Sequence, residues 1–284
     1  MSIYIPQHQL EHFLAEDVPY NDVTSDTLGL ADCPGQMECA FRQEAVVCGT
    51  EEAGRLAQIC GCRVEQSLPS GTRVDAGDTV LRVTGNAAEL HRCWRTVGNL
   101  LEYVSGIATR THDMVQEARG VNPGVIIAAT RKIFPGTKAL VTKGVLSGGG
   151  QLHRLGLSET LLVFDNHRHF LDPQIPLVAH IEHLRRQQPE KQITVEAKDG
   201  QEALDLARLG VDAIQVDKLP APEMTSLVNQ IREISPRSLV VAAGGIDITN
   251  VATYAATGVD ILVTSNVYHG PPADLQVRLQ PAAE

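Results

Sequence analysis

The chain has 284 residues, a hydrophobic content of 43%, a charged content of 20% and a formal net charge of −10. That size and balance suit one large or two modest globular domains with a sizeable core, and the acidic surplus argues against nucleic acid as the main partner. There is no run of about 18 apolar residues to span a membrane, and the opening MSIYIPQHQLEHF lacks the basic-then-apolar order of a secretory signal, so a cytoplasmic protein is expected.

In chain order, QLEHFLAED predicts a short helix. MECAFRQEAVVCGT mixes alternation with β-branched residues and predicts a strand or hairpin. EEAGRLAQICG follows as an amphipathic helix, and RVEQSLPSGTRVDAGDTVLRVTG is β structure punctuated by turns. A helical stretch runs from about Asn86 to Arg119, with a break expected near Ser105-Gly106. The second half changes character. Six apolar runs (VIIAAT, ETLLVFD, ITVEA, AIQVD, LVVAAGG and DILVTS) alternate with helical segments such as LVAHIEHLRR, GQEALDLARLG and PEMTSLVNQIREI. Continuous apolar runs alternating with helices predict a parallel sheet covered on both faces. Six strands fall short of a complete eight-stranded barrel, which favours an incomplete β/α barrel, with a doubly wound open sheet as the alternative. Leu177, His180, Ile181 and Leu184 recur at helical spacing and are expected to face the core. The six cysteines form no metal-like spacing and are expected to be buried and reduced.

Each apolar run ends in polar residues or glycine. VIIAAT leads into Arg131 and Lys132, and TLLVF into Asp165, Asn166 and His167. ITV ends in Glu196, AIQV in Asp217, LVVAA in Gly244-Gly245, and DILV in Thr264, Ser265 and Asn266. Parallel α/β folds gather their sites at the carboxyl ends of strands, so the six ends point to one site. Arg131, Lys132, His153 and Arg154 stand beside glycines and supply donors for an anionic substrate. Gly244, Gly245 and Ser265 are phosphate candidates through backbone N–H groups and a helix start. Glu196 and Asp217 suit ribose hydroxyls or a Mg²⁺ bound to diphosphate. Asp165, His167 and His169 invite a metal reading, but no third strong ligand stands nearby.

TRKIFPGTKAL, GGGQLHRLGL and LLVFDNH together resemble the central signature of the quinolinate phosphoribosyltransferase (nicotinate-nucleotide pyrophosphorylase) family. LAEDVPYNDVTSDTL and RTVGNLLEYVSGIATRT resemble its amino-terminal segment and its dimer-contact helix. FPGTK and SETLLVFD are similar to the ModD subgroup, encoded with molybdate transporters. The resemblance implies an N-terminal α/β sandwich over residues 1–108, joined by the C-terminal tail 270–284, and an incomplete β/α barrel of type II phosphoribosyltransferase kind over residues 109–269. It implies a homodimer with a shared site, Mg²⁺ as cofactor, and no membrane or nucleic-acid partner. It further implies transfer of a phosphoribosyl group to an aromatic nitrogen base with release of diphosphate. Lys132, Glu196 and Asp217 would carry the chemistry. Arg95 (from the second subunit), Arg131, His153 and Arg154 would bind substrate, and Gly244, Gly245, Ser265 and Asn266 the 5′-phosphate. The chain departs from the family at Phe164, where a lysine is usual and where the aromatic side chain is expected to bind the substrate by stacking on its ring, at Val241, Ala243, Lys218 and Ser265, and at Thr142-Lys143. A non-catalytic anion-binding protein on the same fold is the alternative.

Overall fold

The computed structural model describes residues 3–282; the first two residues of the chain, and the last two of the 270–284 tail, lie outside them. The chain divides into two units. The first is the chain up to His112, the segment Ile133–Gly149 and the chain from Tyr268 on; the second is Asp113–Lys132 and Gly150–Val267. Residues 133–149, which fall within the sequence-expected barrel span, group with the first unit.

In the first unit, α1 (Gln7–Asp17) and α2 (Val23–Leu28) precede strands β1 (Pro34–Phe41) and β2 (Ala45–Val46). Next come α3 (Thr50–Ile59), β3 (Arg63–Ser67), β4 (Arg73–Val74), β5 (Thr79–Asn86) and α4 (Ala87–Val121), whose last turns belong to the second unit. Helix α5 (Lys138–Ser147) and the last strand, β13 (Leu275–Pro281), complete it. Four strands form an antiparallel sheet in the order β13-β1-β5-β3. Along β1, Met37, Cys39 and Phe41 are buried while Gln36, Glu38 and Ala40 are half-buried, the period of a sheet with one face on the core. The stretch MECAFRQEAVVCGT is not a hairpin. Both edges of β1 are taken, by β5 and β13, so β2 pairs with β4 in a separate ribbon.

Helix α4 runs unbroken for 35 residues, so the break expected at Ser105-Gly106 does not occur. Ser105 Oγ accepts the amide of Cys48 at 2.9 Å and donates to the Cys48 carbonyl at 3.2 Å. A Cβ on Gly106 would lie 3.0 Å from the Ala273 nitrogen. Small residues stand here because other chain segments press against the helix, and that packing outweighs the roughly 1 kcal/mol that glycine costs a helix. Cys39, Cys48, Cys60, Cys62 and Cys93 are buried and unbridged, as expected, whereas Cys33 is exposed.

The second unit carries a parallel seven-stranded sheet. Its strands are β6 (Ile126–Ala129), β7 (Gln151–Leu152), β8 (Leu161–Val163), β9 (Ile193–Ala197), β10 (Ala213–Asp217), β11 (Leu239–Ala243) and β12 (Ile261–Thr264). The spatial order is β7-β6-β12-β11-β10-β9-β8. Read as a circle, this is chain order with a single gap between β7 and β8. That is an incomplete β/α barrel, since a doubly wound sheet would reverse its order at a switch point. The seventh strand, β7, is only two residues long and leaves no apolar run to read. Connecting helices are α6 (Asp165–Arg168), α7 (Leu177–Gln187), α8 (Gly200–Arg208), α9 (Ala221–Ile234) and α10 (Val251–Ala255). One sheet face gathers Ala128, Ala213, Val241, Ala243 and Val263. Among the described residues no helix is long and apolar enough to cross a membrane.

Candidate active site

The strand order lays out the run ends as a map. His153 and Arg154 follow β7, and Arg131 and Lys132 follow β6. Ser265 and Asn266 follow β12, Gly244 and Gly245 follow β11, and Asp217 ends β10. Glu196 lies near the end of β9, and Phe164 follows β8. Cations occupy one flank of the sheet, glycines and hydroxyls the middle, and carboxylates the other flank.

Strands β6 and β7 pair through Ala129 and Leu152, which puts the two basic pairs on neighbouring strand ends. Arg131 and Lys132 are exposed. Arg154 is only 8% exposed, and among the described residues its guanidinium has no hydrogen-bonded or ion-paired partner. Burial, and then the charge of Arg131, press its pKa below the usual arginine value. A buried, repelled and unpaired cation is costly unless an anion meets it. His153 is half-buried, and its pKa is lowered by burial and by Arg154. Both causes favour its neutral imidazole form.

On the carboxylate flank, Glu196 Oε2 accepts a hydrogen bond from Gln215 Nε2 at 2.6 Å. Burial raises the pKa of Glu196; Asp217 and Asp165 raise it further, against the hydrogen bond from Gln215 and the charge of Arg168. Clustered carboxylates of this kind favour positive charge nearby. Among the described residues no group of three or more His, Cys, Asp or Glu could hold a metal, so Asp165, His167 and His169 do not form a site. Magnesium needs less of the protein, often one or two carboxylates with substrate phosphates completing the shell, and the oxygen donors of Glu196 and Asp217 fit it.

Between the flanks, Gly244 and Gly245 have φ of 88° and 73°. A Cβ on Gly244 would collide with Asp217 Oδ1 and the Lys218 side chain, so only glycine fits. Among the described residues neither glycine amide donates a hydrogen bond, as a phosphate cradle requires. Thr264 Oγ1 donates to the Ile246 carbonyl at 2.6 Å and accepts the Asn266 amide at 2.9 Å, tying this loop to the end of β12. The expected helix start contributes little, because α10 has only five residues.

Lys218 is the one non-glycine residue with positive φ, 57°, among those described. Its amide donates to the Ala243 carbonyl at 2.8 Å, and its Nζ stands 3.9 Å from Asp217 Oδ2. The left-handed region costs most L-residues about 1–2 kcal/mol, and asparagine less. Lys218→Asn should therefore raise the thermal unfolding midpoint, with a gain of about 1 kcal/mol. A lowered midpoint would mean that the lysine side chain stabilises the loop by more than its backbone strains it.

Residues 22–105 match the model of the N-terminal domain of quinolinate phosphoribosyl transferase, and residues 107–278 match that of its C-terminal domain. The chain belongs to the quinolinate phosphoribosyl transferase family. It is accordingly a pentosyltransferase of the phosphoribosyl-transferring kind. An Escherichia coli O157:H7 protein carrying the name pyrophosphorylase ModD is 35% identical over 281 residues, 99% of each chain. A Methanothermobacter thermautotrophicus protein carrying the name nicotinate-nucleotide pyrophosphorylase (carboxylating) is 31% identical, covering 95% of this chain and 98% of that one. The solved nicotinate-nucleotide pyrophosphorylase of Francisella tularensis has the same fold, with a TM-score of 0.89 at 22% identity over 98% of both chains.

In this phosphoribosyltransferase, several of the residues singled out in the sequence have defined local surroundings. Arg95 is an exposed residue of α4 in the first unit, its guanidinium 3.9 Å from the ring centre of Trp94. Phe164 packs edge-on against His167 at 4.3 Å. Gly148 is required by packing, since a Cβ there would collide with the Ala108 carbonyl. Lys143 makes ion pairs with Glu51 at 2.8 Å and with Glu52, a structural role within the first unit.

Two residues near the carboxylates of this phosphoribosyltransferase were missed. Arg168 NH1 donates to both Glu202 oxygens at 2.9 Å, and NH2 donates to the Glu196 carbonyl at 2.7 Å, which fixes the end of β9. Nothing local marks it, because Glu202 is 34 residues away. Gln215 had a signal: it is the polar residue inside the apolar run AIQVD.

Proposed function

We propose that this phosphoribosyltransferase joins phosphoribosyl pyrophosphate to the ring nitrogen of an aromatic base that carries a carboxylate. The bond from the anomeric carbon to the diphosphate oxygen breaks, its electron pair leaving with the diphosphate, and the ring-nitrogen lone pair forms the new C–N bond. The observation that carries this reading is Arg154, buried beside Arg131 and without a partner among the described residues, on a sheet whose other flank ends in Glu196 and Asp217. Arg131 and Arg154 orient the base carboxylate. Lys132 and His153 meet the departing diphosphate. Glu196 and Asp217 take the ribose hydroxyls and stabilise positive charge developing on the ribosyl ring. Gly244, Gly245, Ser265 and Asn266 hold the 5′-phosphate. Magnesium, when bound by Glu196 and Asp217, supplies charge neutralisation to the diphosphate.

Phe164 offers the base a ring face where the family resemblance implies a lysine, which favours a base with fewer anionic groups than quinolinate. The resemblance to the ModD subgroup ties this reaction, in this reading, to molybdenum transport. The working form in this reading is a cytoplasmic homodimer in which Arg95 completes the neighbouring subunit's site.

The test is diphosphate release from phosphoribosyl pyrophosphate and Mg²⁺ across a panel of aromatic bases that includes quinolinate. Release with a monocarboxylate base, at a higher kcat/KM than with quinolinate, is the expected result. Quinolinate as the best base would overturn the role given to Phe164. Binding of phosphoribosyl pyrophosphate without release from any base would sink the transferase reading.

A further inference from the structure

Gln215 lies inside β10 and is 6% exposed. Its register partners are Glu196 on β9 and Val241 on β11. Register partners in a parallel sheet share a face, and the hydrogen bond from Gln215 Nε2 to Glu196 Oε2, at 2.6 Å, places the amide beside that carboxylate. On the other side, Val241 offers no donor. Asp217 lies two residues further along the same strand, roughly 6.6 Å toward the mouth. Gln215 is thus level with Glu196 and one layer beneath Asp217. Its Oε1 is buried and, among the described residues, has no hydrogen-bond partner. Buried acceptors in native proteins nearly always find a donor. An apolar side chain would fill this position without leaving an acceptor unmet, as Ala213, Val241, Ala243 and Val263 do around it.

We propose that Gln215 determines specificity: its Oε1 accepts a hydrogen bond from an O–H or N–H of the substrate seated over Glu196, while its Nε2 steadies that carboxylate. This rests on the phosphoribosyl-transfer reading above. The donor has one of two sources, a hydroxyl of the ribosyl group or an amino, hydroxyl or ring N–H of the aromatic base. A base bearing only ionised carboxylates and a bare ring nitrogen offers Gln215 nothing.

The test uses the full chain and its Gln215→Met variant. Diphosphate release is measured against phosphoribosyl pyrophosphate concentration, and against bases with and without a donor group. The variant should lose about ten- to a hundredfold in kcat/KM while its melting midpoint shifts little, the removal of the unmet acceptor offsetting the lost hydrogen bond to Glu196. A raised KM for phosphoribosyl pyrophosphate with every base assigns the donor to the ribosyl hydroxyl. A loss confined to donor-bearing bases assigns it to the base. Unchanged kinetics and unchanged base selectivity would overturn the proposal, leaving Gln215 as a structural partner of Glu196. If Gln215→Met fails to fold, Gln215→Asn, which withdraws the same amide by one methylene, carries the same kinetic comparison. A wild-type chain that neither releases diphosphate nor is stabilised by phosphoribosyl pyrophosphate sinks the transferase reading itself; an active wild type with an indifferent Gln215 variant sinks this inference alone.

Discussion

Replacing Arg154 with methionine should remove nearly all turnover while leaving the thermal midpoint unchanged or higher. Most arginines lost from a folded interior break ion pairs, and the protein then loses stability. Arg154 has none to break among the described residues, and it is pressed by its own burial and by Arg131. Methionine keeps much of the side-chain volume and removes an uncompensated charge, a change that is often neutral or stabilising. The substrate loses much more. A bidentate guanidinium–anion contact comprises two charge-assisted hydrogen bonds of about 1.5–3 kcal/mol each, so kcat/KM should fall by about 10²- to 10⁴-fold. Phosphoribosyl pyrophosphate in hundredfold excess over its Kd should stabilise the wild type by about 2.7 kcal/mol. The variant should keep that stabilisation, because Arg154 meets the carboxylate of the base and not the phosphoribosyl pyrophosphate. A destabilised Arg154→Met that still turns over would mean that the guanidinium serves the fold and not the substrate.

Replacing Lys143 with methionine should have the opposite signature, a large loss of stability. The Lys143 side chain is 11% exposed and that of Glu52 is 5% exposed. Removing the lysine leaves the Glu52 carboxylate buried without its counter-charge, which typically costs about 3–5 kcal/mol. Changing both partners together, as Lys143→Met with Glu52→Leu, should cost less than Lys143→Met alone, because no charge is stranded. Denaturant midpoints of the two variants decide this, and equal losses would show that Glu52 is not the stranded group.

The same cluster sets an acid limit. Burial alone would raise the pKa of Glu51, but hydrogen bonds from Lys143 Nζ and from the Ser70 hydroxyl and amide overcome it and hold the carboxyl down at about 2. A carboxyl lowered on folding stabilises the protein above its unfolded pKa near 4.5 and loses that contribution as pH falls from there toward 2. Glu51→Gln should therefore flatten the stability profile across that window.

The parallel sheet was legible because a strand buried on both faces is a continuous apolar run, and the six such runs became β6, β8, β9, β10, β11 and β12. Strand β7 was not, because Gln151-Leu152 is too short to carry a pattern. Ser105-Gly106 suggested a broken helix, since glycine is a poor helix former on local grounds. The reason for it, the close approach of Ala273 and Pro271, comes from residues more than 160 positions away. The polar run ends were readable as a group because strand periodicity puts every end at the same edge of the sheet. Their individual states were not.

By itself, the sequence determined the alternation of strands and helices, the polar identity of each strand end and the ordered motifs that mark the family. All of these are carried by residues close together in the chain. Only the tertiary structure decided that Lys218 sits in the left-handed region, that Lys143 is bound to Glu51 and Glu52, and that, among the described residues, Arg154 is buried without a partner and the Gln215 acceptor is unmet. These depend on distances between segments far apart in sequence, and on how much water the packing of those segments excludes.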